Sequence, residues 1–242
     1  MRKGLSRFWL KATAGIALSL PTLPLPAQSL TGTTGLVSIP TAEMPADGAL
    51  AVGVNLIDAR YNGHGFNGRF EGYAAMVEYV SVGFLPFAEV GLRLTRLVDY
   101  PEPQALGDRM VSVRVRLLPQ GRITPAVVVG AHDIVGTQIY HSIYVVGSRR
   151  VESLPLLGGV SAHLGYGDSW PGLRAKGRQF QGVFGGLAVE PRSWVALLVE
   201  DDAERLNAGV RLRPWRGLAI LAAVQGGNGL SGGVSYTHRL RR

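Results

Sequence analysis

The sequence predicts an all-β fold, an antiparallel transmembrane up-and-down β-barrel of about 12 strands, on three observations. Segments of strand length recur along the chain with period-2 alternation, apolar residues on one side and glycine, hydroxyl or arginine on the other. Connections alternate between short proline-bearing turns and longer polar loops, the asymmetry expected of a barrel whose turns are tight on one side of a membrane and free to grow on the other. Lysine is almost absent after the first 29 residues, where Lys176 stands alone, whereas a soluble sandwich or lipocalin-like barrel displays charge on its outer face.

The first 29 residues stand apart. Arg2, Lys3, Arg7 and Lys11 precede a short apolar run, Ala12 to Leu20, and a proline-rich stretch then leads to Ala27-Gln28-Ser29. Small residues at −3 and −1 place a signal-peptide cleavage after Ser29. The three prolines Pro21, Pro24 and Pro26 make the run too short for a membrane-spanning helix. Removing residues 1–29 takes the formal charge from +8 to +4, so much of the basicity is targeting signal and a nucleic-acid partner loses its main support. With no cysteine, these 242 residues carry neither disulfides nor thiolate chemistry.

Residues 30–47 form a turn-rich lead-in, and residues 48–242 the barrel. Strands are expected near 48–57, 71–83, 87–98, 109–118, 123–133, 138–149, 156–166, 179–189, 193–201, 205–213, 217–225 and 229–240. Val111, Val113, Val115 and Leu117 alternate with Ser112, Arg114 and Arg116; Ala88, Val90, Leu92 and Leu94 alternate with Glu89, Gly91, Arg93 and Thr95. Leu206, Ala208, Val210 and Leu212 alternate with Asn207, Gly209, Arg211 and Arg213 in the same way. The short turns carry Pro86, Pro119, Pro155, Pro191 and Pro214, and the long loops are 58–70, 99–108 and 167–177. Between Pro119 and Pro155, ITPAVVVGAHDIVGTQIYHSIYVVGSRR reads as a hairpin closed at Gly136-Thr137. The last strand ends without a terminal aromatic and carries Arg241-Arg242.

Two stretches resemble the YjbH-like family. The lead-in GTTGLVSIPTAEMPADGAL is similar to that family's opening, with Gly, Gly-Leu, Pro-Thr-Ala and Gly before the first strand. In the central hairpin, Pro125, Gly130, Asp133, Gly136-Thr137, Tyr144-Val145-Val146 and Ser148-Arg149-Arg150 are similar to its Gly-x-x-Asp-x-x-Gly-Thr and Tyr-Val-Val-x-Ser-Lys/Arg-Arg runs. The resemblance implies an outer-membrane barrel of a Gram-negative bacterium, in a short single-barrel form, that supports exopolysaccharide production and export without being an enzyme. Implied partners are outer-membrane lipid, an anionic polysaccharide and periplasmic or outer-membrane export components, with no cofactor.

The candidate ligand-binding residues are Asp133, Arg149, Arg93, Arg114, Arg116 and Arg211. The arginines, with Arg213, fall on expected inward faces, where guanidinium forks either bind anionic sugars or form an ion-pair network with Glu78, Glu89, Glu200 and Asp202. Asp133 either accepts N–H bonds from its own turn or meets a ligand. His132 and His141 lack a third metal ligand. Ser161 and His163 share a strand face and are the foothold for an alternative, an outer-membrane enzyme acting on a lipid or glycan; a structural or interaction barrel is the other alternative. Trp194 and Trp215, beside proline turns, suit an interfacial aromatic belt.

Overall fold

The computed structural model describes residues 27–61, 72–101, 108–155, 157–171 and 177–240. The leader as far as Pro26, Lys176, Arg241-Arg242 and most of the three long loops lie outside the described residues.

Twelve antiparallel strands close into one barrel, each paired with its sequence neighbours and the first with the last. They are β1 (Ala49–Ile57), β2 (Ala75–Phe84), β3 (Ala88–Leu97), β4 (Asp108–Leu118), β5 (Ala126–Gly136), β6 (Ser142–Leu154), β7 (Gly158–Asp168), β8 (Gly182–Arg192), β9 (Val195–Asp201), β10 (Leu206–Leu212), β11 (Leu218–Gln225) and β12 (Gly229–Arg239). Closure leaves no unpaired strand edge, so the wall's ladder is continuous except where the register shifts at bulges. The proline turns lie on one rim with the start of β1 and the end of β12, and the longer loops lie on the other.

Alternation sorts the side chains inside out relative to a soluble protein. Asn55, Ser81, Glu89, Ser112, Arg114, Glu200, Asn207 and Arg211 are buried in the interior. Val54, Leu92, Val145, Leu164, Leu187, Leu197, Val210 and Val234 are exposed on the outer wall. In water this aliphatic band would forfeit about 25 cal/mol for each Å² left wet, so it calls for an apolar surrounding.

The central hairpin differs from its expected form. Asp133 has a φ of 51°, and the β4–β5 register shifts beside it, between Val111 and Val113. The extra residues are taken up as a bulge, so β5 continues to Gly136, which pairs with Met110, and the connection becomes 137–141. Gly136 has a φ of 126°, and a Cβ there would stand 1.8 Å from the Arg109 carbonyl oxygen, so the position requires glycine.

The lead-in is not a spacer before the barrel. It folds back into the lumen, where Leu30, Leu36, Val37, Ile39 and Ala42 form one apolar cluster with inward residues including Val77, Tyr79, Phe184, Ala196 and Leu198. Gln28 and Ser29 belong to this plug as well: their carbonyls accept bonds from Arg211 and Asn55. A cut after Ser29 would delete those contacts.

Glycines on the lumen face make the room. A Cβ on Gly209 would lie 2.9 Å from Val37 Cγ2, and one on Gly186 would lie 2.7 Å from Leu36 Cδ1. On the outer face, a Cβ on Gly147 would meet nothing nearer than 3.8 Å. Gly209→Ala is therefore expected to lower folded-state stability by about 1–3 kcal/mol through overpacking, and Gly147→Ala to leave it nearly unchanged. The denaturant midpoint of the heat-modifiable gel band measures both; equal midpoints would mean that the plug does not press on the wall.

Candidate functional site: the plugged lumen

The plug is irregular backbone, and its polar groups are met by a few wall side chains. Four of them are ionisable: Arg114, Arg211, Glu200 and Glu89. Arg114 on β4, 1% exposed, donates to the carbonyl of Thr34 and, at 2.7 Å, to those of Thr41 and Glu43. Arg211 on β10 donates to the carbonyls of Gly35 (2.8 Å) and Leu36 (2.6 Å). Glu200 on β9 accepts from the amides of Val37 (2.8 Å), Ser38 (2.7 Å) and Ile39 (3.3 Å). The signs fit the chemistry: cations meet carbonyl oxygens, and the anion meets successive N–H groups.

Neutral and secondary contacts complete the clasp. Glu89, 3.5 Å from Arg114 as its counter-ion, accepts from the Thr34 amide and hydroxyl. Asn55 donates to the Leu30 carbonyl at 2.9 Å, and Asn207 to Glu200 at 3.1 Å. Ser148 Oγ accepts from the Ala42 amide at 2.7 Å and bonds His163 Nδ1, whose other nitrogen bonds Ser161 at 3.0 Å. Ser161 and His163 thus meet, yet both ring nitrogens are engaged by serines and no carboxylate orients the ring. That arrangement positions the plug and lacks the acid of an acyl-transfer triad.

The remaining candidates do local work at the rims. Arg93 donates to Asp108 at 3.2 Å and lies 5.8 Å from the Tyr140 ring centroid, near the long-loop end. Asp133 is fully buried and accepts from the amides of Gln138 (3.2 Å) and Tyr140 (3.0 Å), clasping its own loop. Arg116 reaches the Pro86 carbonyl, tying two proline turns together. At the same rim Arg150 and Arg213 both pair with Glu190. Glu43, beside this group, has its carboxyl raised above the ordinary range by removal from water, partly opposed by Arg150.

Two expectations are corrected, those for Arg149 and Glu78. Arg149 does not face inward: Tyr144, Val146 and Ser148 take that side of β6, because Tyr144 packs edge-on against Phe180 and over Gly130, where a Cβ would clash. Arg149 is turned to the outer wall and bends to the Arg122 carbonyl at 2.8 Å. Glu78 also points outward and pairs with Arg96. His132 and His141 have separate partners: His132 bonds Ser112 (2.8 Å) and Gln179 (2.7 Å), while His141 accepts from the Trp170 amide. Among the described residues no group of three potential metal ligands comes together.

The family profile of YjbH, described as an exopolysaccharide biosynthesis protein, matches residues 27–242. The chain belongs to the YjbH family. The match covers the plug and the barrel together. A YjbH relative from Escherichia coli (strain K12), named an uncharacterized lipoprotein, is 32% identical over 132 residues, which is 51% of this chain and 17% of that protein. This YjbH-family chain therefore matches only a small part of that relative's length. Among solved structures, two mutants of the Rh. blastica porin each align with 79% of the chain and 99% of their own, at 8% identity and TM-scores of 0.30.

The clasp predicts that Arg211→Met, which strands the carbonyls that it serves, frees the plug. Because the chain has no cysteine, Val37→Cys supplies a single thiol, fully buried in the lumen. It should resist a maleimide in the folded barrel and react in the Arg211→Met background. Equal protection in both backgrounds would remove Arg211 from the plug's anchoring.

Proposed function

We propose that this YjbH-family chain is an outer-membrane barrel that supports exopolysaccharide production or export in an accessory, non-enzymatic capacity. The observation that carries the accessory reading is the occupied lumen: residues 27–48 fill the space through which a polymer would have to pass. The band of exposed Val and Leu on the outer wall supports a membrane location, and the leader read in the sequence would direct the chain to it. About eight strands enclose just enough room for side chains, and the wider interior of twelve is filled here by the plug, which favours a packed scaffold over a conduit.

In this reading the barrel presents its loops to other components of a polysaccharide apparatus and moves no sugar through itself. The buried arginines serve the plug. Arg114 through Nη1 and Nη2, and Arg211 through Nη2, are turned to backbone carbonyls of the plug, and the Nε of each is buried behind them without a partner. Binding of an anionic glycan inside the barrel would first require the plug to leave.

Deletion of the gene should lower exopolysaccharide output, and the protein should fractionate with the outer membrane. Ser161→Ala and His163→Ala should lower output only as far as they lower the heat-modifiable folded band. Normal folded protein with lost output in either variant would favour the enzyme instead. The purified barrel should also show no stable ion conductance in a planar bilayer, and a steady open channel would overturn the accessory reading.

A further inference from the structure

The charges left unbalanced at the two rims differ in sign. At the proline-turn rim Glu190 is paired with Arg150 and Arg213, Glu152 with Arg150, and the Asp47 carboxylate accepts from the Leu85 amide. Arg122, Arg192, Arg216 and Arg239 remain exposed there, and none forms an ion pair among the described residues. At the long-loop rim, Arg60, Arg96, Arg178 and Arg205 are paired with acids, Arg109 aside. Among the described residues, Asp99, Asp168 and Asp201 are exposed there and form no ion pair.

The placement of the four arginines narrows the partner. Arg122 lies in the β4–β5 turn, Arg192 ends β8, Arg216 lies in the β10–β11 turn and Arg239 ends β12. In the strand order of the barrel they are spread round the circumference rather than gathered in one sector. Bulky apolar tips stand among them: Ile123 is 82% exposed, Trp215 72% and Trp194 55%. These sit at the edge of the apolar wall. A collar of guanidinium groups and indoles bordering such a band matches the level where lipid headgroups meet acyl chains. A protein partner would be met by one sector of the rim; a leaflet meets all of it.

We propose that the proline-turn rim is an anion-binding collar for glycerophospholipid phosphodiesters, with Arg122, Arg192, Arg216 and Arg239 as its contacts and anionic headgroups such as phosphatidylglycerol preferred. The proposal rests on the membrane reading above. The guanidinium fork suits a phosphodiester, and an anionic headgroup adds an attraction that a zwitterionic one largely cancels within itself. The collar also gives the barrel a direction, with its proline turns in the phospholipid leaflet and its uncompensated aspartates away from it.

The test uses the full chain, purified in detergent and reconstituted into vesicles of phosphatidylcholine and phosphatidylglycerol in equal amounts. The lipids retained after release of the protein are then read by native mass spectrometry. The wild type should retain phosphatidylglycerol severalfold over phosphatidylcholine at low salt, and the excess should fade as salt is raised. The fourfold variant Arg122→Gln, Arg192→Gln, Arg216→Gln, Arg239→Gln should retain the two lipids equally while its heat-modifiable band persists. Should that variant fail to fold, the four single variants should each lose part of the excess. The variant Asp99→Asn, Asp168→Asn, Asp201→Asn should keep the excess. Undiminished phosphatidylglycerol in the arginine variants, or no excess in the wild type, would overturn the collar while leaving the membrane reading intact. An arginine variant that keeps its lipids yet loses an acidic protein captured by the wild type would assign the rim to that protein instead. Failure of the folded chain to float with vesicles of either lipid would remove the membrane reading and the collar with it.

Discussion

The structure depends on how one stretch of irregular backbone is satisfied in a place with little water. A chain threaded into a barrel brings its amides and carbonyls with it, and each one left unpaired costs about 1–3 kcal/mol. Arg114, Arg211 and Glu200 answer this by meeting several backbone groups each, with opposite charges assigned to opposite ends of the peptide dipole. The same contacts relieve the wall residues, since a buried guanidinium or carboxylate without partners would be more costly than the plug itself. Each side of this arrangement satisfies buried groups of the other, which ties plug and barrel together.

That mutual dependence explains the composition of the lumen. Large charged side chains on β4, β9 and β10 reach inward where the plug's backbone passes. Glycines stand at 186 and 209, where its side chains press against the wall. The apolar residues of the plug meet an apolar patch of the inner wall, so the interior is a real core, clustered around Val37 and Ile39. The outer wall needs no such matching, because a fluid apolar solvent fits any shape. Its only demand is that residues be apolar, and Val, Leu and Ile fill it.

The YjbH family supplies a biological setting, exopolysaccharide biosynthesis, and the closed interior constrains what this unit contributes to it. A filled barrel offers surfaces at its rims and wall more readily than a path through its centre. Among the described residues, exposed arginines without an ion pair gather at the proline-turn rim and such aspartates at the long-loop rim, Arg109 aside.

Much of the wall was legible from residues alone. A strand's side chains alternate with period two, so Val111 to Leu117 against Ser112 to Arg116 announced both the strand and its two faces, and proline turns marked one rim. The faces of Arg93, Arg114 and Arg211 followed from the same counting. It failed at Arg149, because the face of β6 was decided by where Tyr144 could pack against Phe180 and Gly130, a contact between distant segments. It failed again in the central hairpin, where the bulge at Asp133 shifted the turn past Gly136. The place of the lead-in was beyond such counting altogether. Turn-rich sequence has no period, and its partners lie up to 187 residues away, as Ser38 and Gln225 do. Local alternation determines which way a wall residue points. Only closure of the barrel creates the interior that the plug's backbone must be drawn into and satisfied by.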